Sequence, residues 1–177
     1  MSDITKATDQ NLTLTERLKL KRSCSVLLLD CSGSMNEDVE PGRSKASALR
    51  DIVSGLDQNH FFWFNSTFGE CTKDTIPNPS GNTYLAALLN DIKSKGHRSV
   101  IILTDGDIND KFATLLARRS LAIKVMYIGA GQRPAFLDQL ASAGNATTED
   151  LKETKQLTNK IQLLLGSGAE RKGAIEL

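Results

Sequence analysis

Short runs of consecutive apolar residues alternate along this chain with longer stretches whose apolar positions recur at helical spacing. That alternation predicts a parallel β-sheet covered by helices on both faces, because a strand buried on both sides has no polar face to show. The first run, Cys24 to Leu29, reads as a fully buried strand. Ser44 to Leu56 follows as a helix with Ala46, Leu49, Ile52, Val53 and Leu56 on one face. His60 to Asn65 is an aromatic-rich strand, and Asn65-Ser-Thr can turn the chain back into a short antiparallel edge strand over Thr67 to Thr72. Pro77-Asn-Pro-Ser-Gly-Asn82 can continue neither a helix nor a strand and predicts a loop. A helix is then expected from Thr83 to Lys95, with Leu85, Leu88, Leu89 and Ile92 inward and Gly96 ending it.

The second half repeats the alternation. Ser99 to Thr104 reads as a strand, Asp105-Gly-Asp107 as a loop, and the next helix carries Phe112, Leu115 and Leu116. Ala122 to Ile128 is another strand, stopped by Gly129-Ala-Gly131. Pro134 suits the first turn of a helix bearing Phe136, Leu137, Leu140 and Ala141. Gly144 to Ala146 has the length of a very short last strand. Thr147-Thr-Glu-Asp150 resembles a capping box, opening a final helix with Leu157, Ile161, Leu164 and Leu165 inward. The fold class is therefore α/β, a doubly wound, mostly parallel sheet with one antiparallel edge strand, spanning residues 23–165. Residues 1–22 form an extension in which Leu12-Thr-Leu14 and Leu18-Lys-Leu20 alternate like a strand, whereas Thr15-Glu-Arg-Leu18 equally suits a helix start. Residues 166–177 read as a tail.

Composition narrows the function classes. The 177 residues are 40% hydrophobic and 24% charged with a formal net charge of +1, which suits one ordered domain. Basic residues are interspersed with acidic ones, against a dedicated nucleic-acid binder. No apolar run approaches the ~20 residues of a membrane helix. The polar start, Met1 to Thr8, lacks the apolar region of an export signal. Cys24, Cys31 and Cys71 form no C-x-x-C and cannot all pair within one chain. A reducing, cytoplasmic setting is the expectation, and a structural zinc site is disfavoured.

The candidate chemistry sits at strand ends. The first strand runs into Asp30-Cys-Ser-Gly-Ser34, and a later buried strand into Thr104-Asp105-Gly106. In a doubly wound sheet, ligands bind beyond the carboxyl ends of the strands where the winding reverses, so Asp30 and Asp105 are expected to face each other there. Two such carboxylates repel unless a cation or proton lies between them. Ser32 and Ser34, two apart, can aim both hydroxyls at one point, and Thr83 can reach it from another loop. The resulting all-oxygen shell suits Mg²⁺ or Mn²⁺. Local alternatives exist: Asp30, Ser32 and Ser34 can shape a turn or cap a helix, as can Thr83. Asp107 and Asp110 read as caps of the following helix, with an outer-sphere role open to Asp107.

Taken together, Asp30-x-Ser-x-Ser34, Gly81-Asn-Thr83 and Thr104-Asp-Gly106 resemble the metal-ion-dependent adhesion site of the von Willebrand factor type A domain, in order and in setting. The likeness covers Cys24 to Leu165. It implies a metal-dependent protein-binding module whose ion is completed by a partner's carboxylate. It also implies direct contacts from Ser32, Ser34 and Thr83, with Asp30 and Asp105 acting partly through water. Without an export signal or long inserts, the chain is similar to intracellular bacterial or phage-type members, some of which work with separate ATPase chains. The competing reading is a magnesium-dependent phosphoryl-transfer enzyme with Asp30 as nucleophile. Phosphatases resembling the haloacid dehalogenase family need a second carboxylate two residues on, where this chain has Ser32. No lysine, histidine or third carboxylate is placed by sequence at the crevice, so no enzyme activity is expected.

Overall fold

The computed structural model describes residues 25–141, 146–148 and 154–166. The chain passes through β1 (Ser25–Asp30), a hairpin of β2 (Asp38–Glu40) and β3 (Arg43–Ser44), α1 (Lys45–Ser54), β4 (Phe61–Phe64) and β5 (Phe68–Cys71). It continues through α2 (Ala86–Ser94), β6 (Ser99–Thr104), α3 (Lys111–Ala117), β7 (Ala122–Tyr127), α4 (Ala135–Leu140), β8 (Ala146–Thr148) and α5 (Thr154–Gly166). The readings made for residues 1–22, for Cys24, Gly144, Asn145, Glu149 and Asp150, and for the tail beyond Gly166 lie outside the described residues.

The main sheet has the strand order β5-β4-β1-β6-β7-β8. β1 pairs in parallel with both β4 and β6, setting Leu28 opposite Phe62 on one side and Ile102 on the other. β5 runs antiparallel to β4, pairing Phe64 with Phe68 through the turn expected at Asn65. Side chains alternate across the sheet and find apolar partners on both faces. Leu27, Leu29, Ile101 and Leu103 pack beneath α1 and α5, while Leu28, Val100 and Ile102 pack beneath α2, α3 and α4. Burial on both faces explains why the sequence of these strands reads as unbroken apolar runs. From β1 the chain winds one way to β4 and β5, and from β6 the other way to β7 and β8, so the reversal lies between β1 and β6.

Four features depart from the sequence reading. The last strand spans Ala146–Thr148, pairing Thr147 with Met126 and Thr148 with Tyr127, so these two threonines stand in the sheet, and the described part of α5 is Thr154–Gly166. Threonines suit a cap and a strand alike; here the edge of β7 offers their backbone a parallel ladder. The β2–β3 hairpin leaves no periodic signal in the sequence, because Val39 is the one apolar residue in Asp38 to Ser44. Helix α2 starts at Ala86 rather than Thr83, for a reason given by the site below. In addition, α3 buries Thr114 and Ala117 but leaves Phe112 and Leu116 exposed.

Candidate metal centre

The site grows from the carboxyl ends of β1 and β6. Asp30, 1% exposed, accepts hydrogen bonds from the Ser32 amide (2.9 Å) at Oδ1 and from the Thr104 hydroxyl (2.6 Å) at Oδ2. Thr104 Oγ1 in turn accepts from the Gly106 amide at 2.9 Å. The two strand ends are thus tied through side chains as well as through the sheet. Beyond Asp30, the hydroxyls of Ser32 and Ser34 lie 3.1 Å apart. The turn that carries them is pinned by Met35, fully buried in the core beneath α1 and α5.

Thr83 arrives on a separate loop, fastened to the first by backbone bonds. The Gly33 amide donates to the Gly81 carbonyl at 2.9 Å, and the Ser80 amide to the Cys31 carbonyl at 3.0 Å. Gly81 has φ +69°, and a Cβ there would collide with the Ser66 hydroxyl, so glycine is needed both for conformation and for space. The third loop holds Thr83 from the other side. The Thr83 amide donates to Asn109 Oδ1 at 2.7 Å, and the Asn109 amide returns a bond to the Thr83 carbonyl at 2.9 Å. The Asp110 carboxylate accepts from the amides of Leu85 (3.0 Å) and Ala86 (2.9 Å). The amides from Thr83 to Ala86 are therefore taken by tertiary partners, which is why α2 opens three residues late. Asp110 stands at the N-cap of α3, but its side chain serves α2's first amides as well as the Thr114 hydroxyl. Asp107 is exposed and caps nothing; its amide donates to Asp105 Oδ1 at 3.2 Å.

Asp105, 7% exposed, brings a residue that sequence reasoning missed. Its Oδ2 accepts from Lys45 Nζ at 2.9 Å, and the same ammonium lies 2.6 Å from Glu37 Oε2. Contrary to the expectation, a lysine does stand at the crevice. It comes from the first turn of α1, the crossover helix whose N-terminus shares this edge of the sheet, at a sequence distance no local motif spans. The available signal was the predicted start of that helix at Ser44, which puts Lys45 at the same end of the sheet as Asp30.

The electrostatics are those of carboxylates held from water. Burial pushes the Asp30 carboxyl up to about 6 against the pull of its bonds to Ser32 and Thr104, and the charge of Asp105 adds to the rise. Burial alone would lower the Lys45 ammonium, but its bonds to Glu37 and Asp105 outweigh it and the net shift is upward. The Cys31 thiol is raised to about 12, first by burial and then by the Asp30 charge, so this cysteine is inert at neutral pH. The structure thus joins Asp30, Ser32 and Ser34 through direct bonds, sets Asp105 within reach of Asp30's charge, and fixes buried Thr83 by stitching its loop to the other two. Among the described residues no group of three or more His, Cys, Asp or Glu side chains has metal-ligand placement. The donors at this edge are two carboxylates with neutral hydroxyls, a set that fits a hard oxygen-seeking ion rather than zinc.

No sequence-family model and no curated protein matches the chain. Solved structures do. The manganese-loaded TRAP protein of Plasmodium vivax superposes with a TM-score of 0.55 at 20% identity, over 80% of this chain and 74% of that one. A von Willebrand factor type A protein from Catenulispora acidiphila gives 0.57 at 16% identity, over 80% of this chain and 42% of that one, so this chain spans less than half of it. Likeness at such identities is likeness of fold, and the doubly wound α/β fold of this chain is that of the von Willebrand factor type A domain.

Proposed function

We propose that the chain is a metal-dependent protein-binding module. In this reading one divalent ion, Mg²⁺ or Mn²⁺, is held by Asp30, Ser32, Ser34, Thr83 and Asp105, and a carboxylate of a partner protein completes its shell. The reading is supported by two buried carboxylates, Asp30 and Asp105, at the carboxyl ends of the neighbouring strands β1 and β6 where the sheet reverses, with the Ser32 and Ser34 hydroxyls 3.1 Å apart in the turn that follows Asp30. The manganese-loaded state of one fold neighbour supports a divalent ion. When bound, the ion supplies positive charge that neutral hydroxyls leave largely uncompensated, and an anionic oxygen from outside is attracted to it. The chain's own part is to position donors: Asp30 is aimed by the Ser32 amide and the Thr104 hydroxyl, Asp105 by the Asp107 amide, and Thr83 by Asn109. A cytoplasmic assembly containing a separate ATPase is the partner setting that the family resemblance implies.

The phosphoryl-transfer reading gains one observation, the ammonium of Lys45 beside Asp105. It still lacks an acid–base group next to Asp30, where Ser32 stands, and Lys45 is held by Asp105 and Glu37. Calorimetric titration tests both readings. Mn²⁺ is expected to bind at about one site per chain, and D30A to abolish that binding without loss of helical circular dichroism. Unchanged affinity in D30A would remove the proposed ligand set. Mg²⁺-dependent hydrolysis of a generic phosphomonoester, abolished by D30N, would favour the enzyme.

A further inference from the structure

The edge of the sheet that gathers these donors already contains a cation. The side chains of Lys45 and Asp105 are 12% and 3% exposed, whereas that of Glu37 is 68% exposed. Glu37 and Lys45 close the base of the β2–β3 hairpin, where the Lys45 amide donates to the Glu37 carbonyl at 3.0 Å. The hairpin therefore presents the ammonium to two acceptors at once, a buried one at 2.9 Å and a solvent-facing one at 2.6 Å. An ammonium bonded to Asp105 Oδ2 takes up lone-pair capacity that a metal ion would use. Two cations sharing one secluded carboxylate also repel strongly, since little water separates them.

We propose that Lys45 is an internal competitor for the divalent ion. Its ammonium neutralises Asp105 in the metal-free protein, and ion binding displaces it from Asp105 while it keeps its bond to Glu37. Because Nζ already lies within bonding distance of both carboxylates, the exchange needs a small swing and no new acceptor. Lys45 then sets the threshold of metal binding, and Glu37, by holding the displaced ammonium at the hairpin base, lowers that threshold. The proposal rests on the metal-site reading above, and its test separates the two.

Mn²⁺ affinity is measured by calorimetry for the wild type, K45Q, K45M, K45R and E37Q, with circular dichroism to check folding and thermal melts in chelator and in Mn²⁺. K45Q and K45M are expected to bind Mn²⁺ more tightly by about tenfold or more, and to melt at lower temperature than the wild type in chelator. K45R keeps the charge and stays near wild-type affinity, while E37Q, which removes the negative charge of the alternative acceptor, weakens binding several-fold. Wild-type binding with folded K45Q and K45M equal to or weaker than it would overturn the competition and leave the metal site standing. Absence of Mn²⁺ binding in the wild type and in every Lys45 variant would overturn the metal site and the competition with it.

Discussion

Two lysines in this protein make almost the same contacts in different surroundings. Lys45 Nζ lies 2.6 Å from Glu37 and 2.9 Å from Asp105; Lys95 Nζ lies 2.7 Å from Glu70 and 3.0 Å from Asp91. By distance the two clusters are interchangeable. The side chains of Lys95 and Glu70, however, are 40% and 48% exposed, at the β5 edge where water and salt screen the charges, whereas the side chain of Asp105 is 3% exposed at the mouth of the site. Both ammonium groups are shifted upward, Lys95 by its bonds to Glu70 and Asp91, and Lys45 against an opposing effect of burial. The lesson is that the length of an ion pair says little about its consequence. What counts is what happens to the carboxylate when its partner leaves: Glu70 is rehydrated, and Asp105 is left charged in a secluded place beside Asp30.

The strongest way to press that contrast is to remove the carboxylates and read metal binding. D105A is expected to lower Mn²⁺ affinity by more than ~100-fold, beyond the usual effect of losing a supporting group, while E70A leaves the titration unchanged. Equal titrations for the two variants would erase the distinction. Next in size is the removal of each lysine in chelator. K45M is expected to cost about 2–3 kcal/mol in denaturant unfolding, because Asp105 is stranded, and K45M/D105N to recover most of it. If the double variant is no more stable than K45M, the loss comes from packing instead.

A third expectation concerns pH. The Asp30 carboxyl is raised from 3.8 to about 6 in the folded metal-free protein, so between those values the folded state holds a proton that the unfolded state has released. The sign follows: stability attached to this group is full below pH 3.8 and is lost as pH rises through 6. In chelator, the wild type should therefore weaken relative to D30N across this window, by an amount on the order of 2–3 kcal/mol. A difference between wild type and D30N that stays flat from pH 4 to pH 7 would show that burial does not raise the Asp30 carboxyl. The smallest effect belongs to the exposed cluster. K95M should change stability by under ~0.5 kcal/mol, and salt should abolish the change. A salt-insensitive loss would trace instead to its ring contact, since Nζ lies 5.0 Å from the Phe62 centroid.

What the sequence determined by itself was whatever depends on periodicity and on chain order. Unbroken apolar runs such as Val26 to Leu29 and Val100 to Leu103 announce strands buried on both faces, and their alternation with helical stretches is enough to set the doubly wound sheet and its reversal beside Asp30 and Asp105. That the hydroxyls of Ser32 and Ser34 turn toward one another was legible in their spacing of two within a single turn, whereas the bond from the Thr104 hydroxyl to Asp30 was not. The tertiary structure decided everything that depends on residues distant in sequence competing for the same atoms. Thr83 was expected to open a helix, but Asn109 and Asp110 claim the amides around it, and the helix waits until Ala86. Thr147 and Thr148 carry side chains that suit a cap or a strand, and the free edge of β7 chose the strand. Lys45 looks like any solvated lysine in the first turn of a helix until the sheet carries its ammonium to Asp105. Propensity and pattern act over a few residues, whereas a buried carboxylate draws in whatever counter-charge the folded chain brings within reach.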